Sequence, residues 1–246
     1  MPLIYVIGLA ISVPLIVHCI RTGRNRMWMW LLLALPLVGS AVYFCVEVLP
    51  DLGNSRAGRR AARGLRDTLN PEGDLRRAEN AMKISGNVAS RQKYADELVR
   101  MGRAAEALPI YQTCLTGIFA EDPKVMQGYA QAQFAAGEPA AARATLDELI
   151  RKNPDFKSPD GHLLYARALE GEGNHEKALS EYAALAEYFP GAEAGVRYAK
   201  LLKQVGQASQ ARETLEALLE RAKYAPAHYR RAQRDWLDQA ASELRT

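Results

Sequence analysis

The chain is poor in the residues that carry most catalytic and metal chemistry. Its 246 residues include three cysteines and four histidines. Cys19, Cys45 and Cys114 form no CxxC or Cys/His spacing that would hold a metal, and so few cysteines exclude a disulfide framework. A nucleophile-elbow serine, a dinucleotide-binding glycine motif and a phosphate-binding loop are all missing. His18, His162, His175 and His228 are scattered, the middle two at ordinary helix or turn positions. No enzyme activity, cofactor, metal or small-molecule substrate is expected. The net charge of +4 is spread over the chain rather than clustered with aromatics, which argues against a nucleic-acid partner.

Charge is absent from two stretches near the start. Pro2 to Ile20 carries no charged side chain and one histidine, His18, and Met27 to Val46 is again free of charge. At 1.5 Å per residue, roughly 20 apolar residues cross a hydrocarbon core of about 30 Å. Pro14 and Pro36 are tolerated in membrane helices, and Trp28 and Trp30 suit a headgroup interface. A cleaved signal peptide fits poorly, because no basic residue precedes the first run and no small-residue cleavage site follows it. The expectation is a two-span transmembrane hairpin over residues 1–50, with the lipid bilayer as a partner. His18 belongs near the interface, and Cys19 and Cys45 act as small apolar fillers. The stretch HCIRTGRNRMWMWLLLALPLVGSAVYFCVEVLPDL, with its basic turn, Trp28, Pro36, Gly39 and Tyr43, resembles the two-helix N-terminal module of bacterial cardiolipin synthases, the phospholipase D N-terminal family. That resemblance implies anchoring. The family's H-x-K-x(4)-D catalytic motif is missing, since Tyr182 stands where His175-Glu176-Lys177 would require an aspartate.

A basic linker follows over residues 51–70. Gly53, Asn54 and Ser55 read as a flexible exit, and Arg56, Arg59, Arg60, Arg63 and Arg66 as candidate lipid-headgroup contacts. Set against Arg21, Arg24 and Arg26 in the turn, they favour a multi-pass inner-membrane protein with its C-terminal domain in the cytoplasm, and a periplasmic domain as the alternative.

Residues 71–246 repeat. Gly102, Gly137, Gly173 and Gly206 recur at a spacing of about 34 residues. Five positions after each stands an alanine (Ala107, Ala142, Ala178, Ala211), and four further on a large side chain (Tyr111, Leu146, Tyr182, Leu215). Seven positions before each glycine stands another alanine: Ala95, Ala130, Ala166 and Ala199. This pattern resembles the tetratricopeptide repeat, which implies an all-α solenoid of about four units, each a pair of antiparallel helices. The alanines let helix axes approach, the glycine makes the turn, and the large residue fills the seam to the next unit. Pro123, Pro154, Pro190 and Pro226 are expected to stop the second helices. A lone helix after Asn70-Pro71 should cover one end, and AHYRRAQRDWLDQAASELRT should form a single amphipathic helix, with Tyr229, Trp236 and Leu237 inward, that caps the other.

The resemblance implies that first helices line a concave groove for a peptide or helix of a partner protein. On the repeat register that face holds Gln92, Asp96, Gln127, Gln131, Arg167, Glu170, Lys200 and Lys203, without the Lys/Asn pattern of the chaperone-binding carboxylate clamp. The expected function is a membrane-anchored, non-catalytic scaffold. The alternative is a periplasm-facing assembly factor similar to the tetratricopeptide proteins of cytochrome c maturation, although their loop between spans is long and the turn here is short.

Overall fold

The computed structural model describes residues 12–17, 19, 27–34, 36–43, 46 and 72–245, and every element among them is helical. The chain divides into two compact units, Met1–Gly73 and Asp74–Thr246.

In the first unit, α1 (Met27–Ala34) and α2 (Pro36–Tyr43) pack as a pair. They touch closely at Gly39, where a Cβ would lie 2.6 Å from the Leu31 carbonyl oxygen. Trp28 meets Tyr43 edge to face at 5.3 Å, and Ser12 and Ser40 share a 3.0 Å hydroxyl hydrogen bond. Here the expected multi-pass inner-membrane location is corrected: among the described residues no helix is long and apolar enough to cross a membrane. Eight residues each, α1 and α2 span about 12 Å apiece, well under half of a hydrocarbon core. Absence of charge therefore does not by itself make a spanning helix. Most of the first expected span and the whole 51–70 linker, with Arg56, Arg59, Arg60, Arg63 and Arg66, lie outside the described residues.

The second unit opens with α3 (Gly73–Ser85), whose Leu75 enters the core beside Ala95 and Leu98. Four hairpins follow. They are α4 (Val88–Arg100) with α5 (Ala104–Cys114), α6 (Pro123–Ala135) with α7 (Pro139–Lys152), α8 (Pro159–Gly171) with α9 (His175–Tyr188), and α10 (Glu193–Gln204) with α11 (Ala208–Tyr224). Each packs on the next through shared apolar clusters. All eight alanines at the expected crossings are wholly buried, as are Tyr182 and Leu215, and Tyr111 and Leu146 nearly so.

Local chemistry explains why the hairpins turn where they do. Gly102, Gly137, Gly173 and Gly206 have φ between 75° and 84°. Each closes the same two bonds: at the second hairpin, Gly137 N–H donates to Phe134 O and Glu138 N–H to Gln133 O. That is the Schellman arrangement, in which a left-handed residue satisfies the last helical carbonyls. Starts are fixed as well. Ser158 Oγ accepts Gly161 N–H at 3.0 Å, Asp122 accepts Lys124 and Val125 N–H at 3.0 Å, and Pro123, Pro139 and Pro159 stand in the first turn, where their missing donor is not needed.

Two expectations change. Pro123 does not stop α5, which ends at Cys114; a 3-10 turn at Gly117–Phe119 intervenes and Pro123 opens α6. The C-terminal cap is two helices, α12 (Ala227–Ala232) and α13 (Arg234–Glu243), broken at Gln233. That break brings Gln233 Oε1 to the Ala192 N–H at 3.0 Å, fastening the cap to the start of α10. Trp236 and Leu237 face the core, while Tyr229 is half-buried.

A Cβ at Gly137 would meet nothing within 4 Å, so alanine there tests the backbone alone. Gly137→Ala is expected to destabilise the array by about 1–2 kcal/mol, the cost of a left-handed L-residue, measured as a lower midpoint in urea.

Candidate functional site

The first helices α4, α6, α8 and α10 carry the eight candidate groove residues. Asp96 on α4 is exposed and accepts a hydrogen bond from the Tyr111 hydroxyl; Gln92, on the same helix, is half-buried. Gln127 on α6 is half-buried and Gln131 exposed. Glu170 on α8 accepts from the Tyr182 hydroxyl at 2.6 Å. The same device thus occurs in two hairpins: the large residue of the second helix, buried in the seam, sends its hydroxyl back to a carboxylate of the first. Desolvation pushes both tyrosine hydroxyls far above their ordinary range, and the adjacent carboxylate adds to it. Asp96 is itself raised, chiefly by desolvation, against the lowering effect of the Tyr111 hydrogen bond.

Lys200 and Lys203 on α10 turn to the cap. Lys200 donates to Gln239 Oε1 at 3.1 Å and Lys203 to the Glu243 backbone oxygen at 2.5 Å and carboxylate at 3.1 Å. Of the eight, then, two meet α13, and two are tied to buried tyrosines.

Arg167 on α8 is the most constrained. Its guanidinium stacks over the Phe134 ring at 4.7 Å, and Glu193 lies 3.9 Å away, at the limit of an ion pair. Its Nε is buried and has no hydrogen-bond partner among the described residues. Burial pulls its pKa down, and the neighbouring Arg197 charge pulls further. Arg197 is held by Glu193 at 2.7 Å and lies over Trp236 at 5.4 Å. Such a donor is desolvated without a compensating bond.

A cleft of about 580 Å³ opens between α7, α8 and α9, with Gln127 of α6 at its edge. Leu146, Leu149 and Ile150 form its apolar wall, and Phe156 lies in the link that precedes α8. From α8 come His162 and Tyr165, and from α9 come Glu181 and Tyr188. His162 bridges α9: Nε2 lies 2.6 Å from Glu181 Oε2 and Nδ1 2.6 Å from the Tyr188 hydroxyl. The Tyr165 hydroxyl donates to Asp147 at 2.9 Å, and desolvation with this carboxylate pushes its pKa up to about 12. Asp147 is also bound by Arg143 at 2.6 Å, which in turn holds Glu172 at 2.7 Å.

Sequence reasoning placed His162 at an ordinary helix position and missed this cleft. A signal was present. His162 and Tyr165 stand one turn apart on α8, Glu181 and Tyr188 two turns apart on α9, and hairpin pairing sets those two faces together.

Residue 111 allows a test with a sign. A carboxyl whose folded pKa is raised contributes most to stability below its unfolded pKa, and that contribution is lost as pH rises through the folded value. Tyr111→Phe removes the bond that restrains the rise at Asp96, so its penalty should be about 1 kcal/mol near pH 7 and smaller near pH 4. Urea midpoints at the two pH values measure it.

Residues 98–168 match the tetratricopeptide repeat family. No curated protein matches the sequence. Among solved structures, the chain is similar to a tetratricopeptide protein of Thermus thermophilus, with a TM-score of 0.58 at 18% identity, covering 76% of this chain and 97% of that one. It is also similar to MamA (TM-score 0.51, 20% identity, 76% and 96% covered) and to a kinesin light chain-like repeat protein of Podosopora anserina (0.51, 17%, 63% and 85%). The likeness of the first fifty residues to the cardiolipin synthase module finds no support in these matches. Residues 74–246 thus form an α-solenoid of the tetratricopeptide type, with the family's own signature carried by residues 98–168.

Proposed function

We propose that the array is a non-catalytic scaffold that takes an extended peptide of a partner protein along the face of its first helices. Solenoids bind along such faces because the repeated helices offer a periodic row of side chains. Gln92, Asp96, Gln127, Gln131, Arg167 and Glu170 supply that row over α4, α6 and α8; Lys200 and Lys203 form its end, where α13 meets α10.

The observation that carries the reading is Arg167. Its Nε is buried without a partner, and its charge stands beside Arg197 rather than within a full ion pair. A backbone carbonyl or carboxylate of a bound peptide at the accessible part of the guanidinium, whose side chain is 27% exposed, would balance that charge, and a charge-assisted bond of that kind is among the stronger single contacts a polar groove makes. Phe134 beneath the guanidinium fixes its orientation before a ligand arrives, which limits the entropy lost on binding.

The test uses dodecapeptides selected on the full-length chain from a random library. Arg167→Met keeps an unbranched apolar stem over Phe134 and removes the donor. It should weaken the selected peptides about tenfold, the loss of roughly one good hydrogen bond, without lowering the thermal midpoint. Unchanged affinity across all selected peptides contradicts the reading.

A further inference from the structure

The cleft between α7, α8 and α9 gathers carboxylate, phenol and aromatic groups. In the neutral imidazole, His162 Nε2–H donates to the Glu181 carboxylate and Nδ1 accepts the Tyr188 O–H, so the donors of all three side chains are used among themselves. The Tyr165 O–H is likewise given to Asp147. The acceptors left for a ligand are the second oxygen of Glu181, the lone pairs of the Tyr165 and Tyr188 hydroxyls, and the amide oxygen of Gln127, beside the donors of the Gln127 amide, the Ser158 hydroxyl and Lys157 at the lining. The positive end of α8 is offset by the Asp160 carboxylate in its first turn.

Ring faces point to the same chemistry. Phe156, His162, Tyr165 and Tyr188 all line the cleft, with His162 and Tyr188 stacked at 5.9 Å. Aromatic faces are electron-rich and attract a cation more strongly once it is desolvated. Two carboxylates, Asp147 and Glu181, stand at the lining against Lys157, whose exposed ammonium is well solvated. Arg143 neutralises part of Asp147, so Glu181 is the main source of uncompensated negative charge. The volume, about 580 Å³, lies within the range of ligand-binding clefts and has an apolar wall for an aliphatic stem.

We propose that this cleft binds the cationic side chain of an arginine or lysine carried by a partner peptide. The assignment rests on the reading of the array as a peptide-binding scaffold. Gln127 joins the two surfaces, being both a candidate residue of the first-helix face and an edge of the cleft. A peptide on that face would drop one basic side chain between α7 and α9, its stem against Leu149 and Ile150 and its charged end at Glu181.

The experiment sequences the selected dodecapeptides and measures their binding to the full-length chain by fluorescence polarisation. An arginine or lysine should recur at one position. Replacing an arginine with citrulline, which keeps the length and removes the charge, or a lysine with norleucine, which keeps the aliphatic stem and removes the ammonium, should weaken binding about tenfold. Glu181→Gln, which retains a hydrogen-bond acceptor for His162, should cost the basic peptides the same factor and leave the citrulline peptides unchanged; Tyr188→Phe provides a second variant should the first fold poorly. Peptides that bind but show no recurring basic residue, or that do not distinguish arginine from citrulline, overturn the cleft assignment and leave the scaffold reading intact. Free arginine binding as tightly as the peptides overturns the peptide as its source. No enriched peptide at all removes the scaffold reading and the assignment with it.

Discussion

Within each hairpin two alanines stand where the helices cross, one on each helix, and in all four hairpins both are completely buried. A larger side chain at either position would hold the axes apart. With the axes close, the seam between neighbouring hairpins is deep enough to be filled by one large residue: Tyr111, Leu146, Tyr182 or Leu215. A single hairpin has no partner for that residue, so burial is complete only in the stack, and stability passes from neighbour to neighbour. The left-handed glycines serve the same constraint by letting the chain reverse within a few residues while the last carbonyls of the first helix stay hydrogen-bonded.

The functional surfaces follow from this packing. When a seam is filled by tyrosine, its hydroxyl is carried to the edge of the core and must find an acceptor, and a carboxylate of the first helix provides one: Asp96 for Tyr111, Glu170 for Tyr182. When it is filled by leucine, as at residue 146, no such tie forms. The cleft opens beside that leucine, where six residues, 153–158, link α7 to α8. Arg167 lies between tyrosine and leucine seams, over Phe134 of one hairpin and near Glu193 and Arg197 of the other, which leaves its Nε without an acceptor.

The repeat was legible in the sequence because every unit solves the same problem with the same residue types: alanine at the crossing, glycine at the turn, a large residue at the seam. Non-periodic features were not legible. The break at Gln233 goes with the hydrogen bond its side chain accepts from the Ala192 N–H, a contact 41 residues away in sequence that no helical pattern announces. Lys200 and Lys203 lie on the expected helix, but their position on a register does not disclose that Gln239 and Glu243 of the cap will meet them. The His162–Glu181–Tyr188 group, by contrast, was legible in part: the spacings put its residues on one face of each helix, and the pairing of α8 with α9 brings those faces together. At the N-terminus, two charge-free runs with tryptophans at one end were read as membrane-spanning, whereas α1 and α2 are eight residues each and no described helix there is long and apolar enough to cross a bilayer.

The claim on which all this rests is that small side chains at the crossings let the two helices of each hairpin close up, which makes the seam that joins it to its neighbour. Hydrogen–deuterium exchange of the full-length chain, compared with Ala142→Leu, tests it most directly. Leucine at the α6–α7 crossing overpacks a site that has no room for it. Amide protection is predicted to fall in α6, α7 and the adjoining α8, and to be little changed in α10 and α11. Exchange that is the same in both proteins, or that rises evenly along the whole array, would contradict the account.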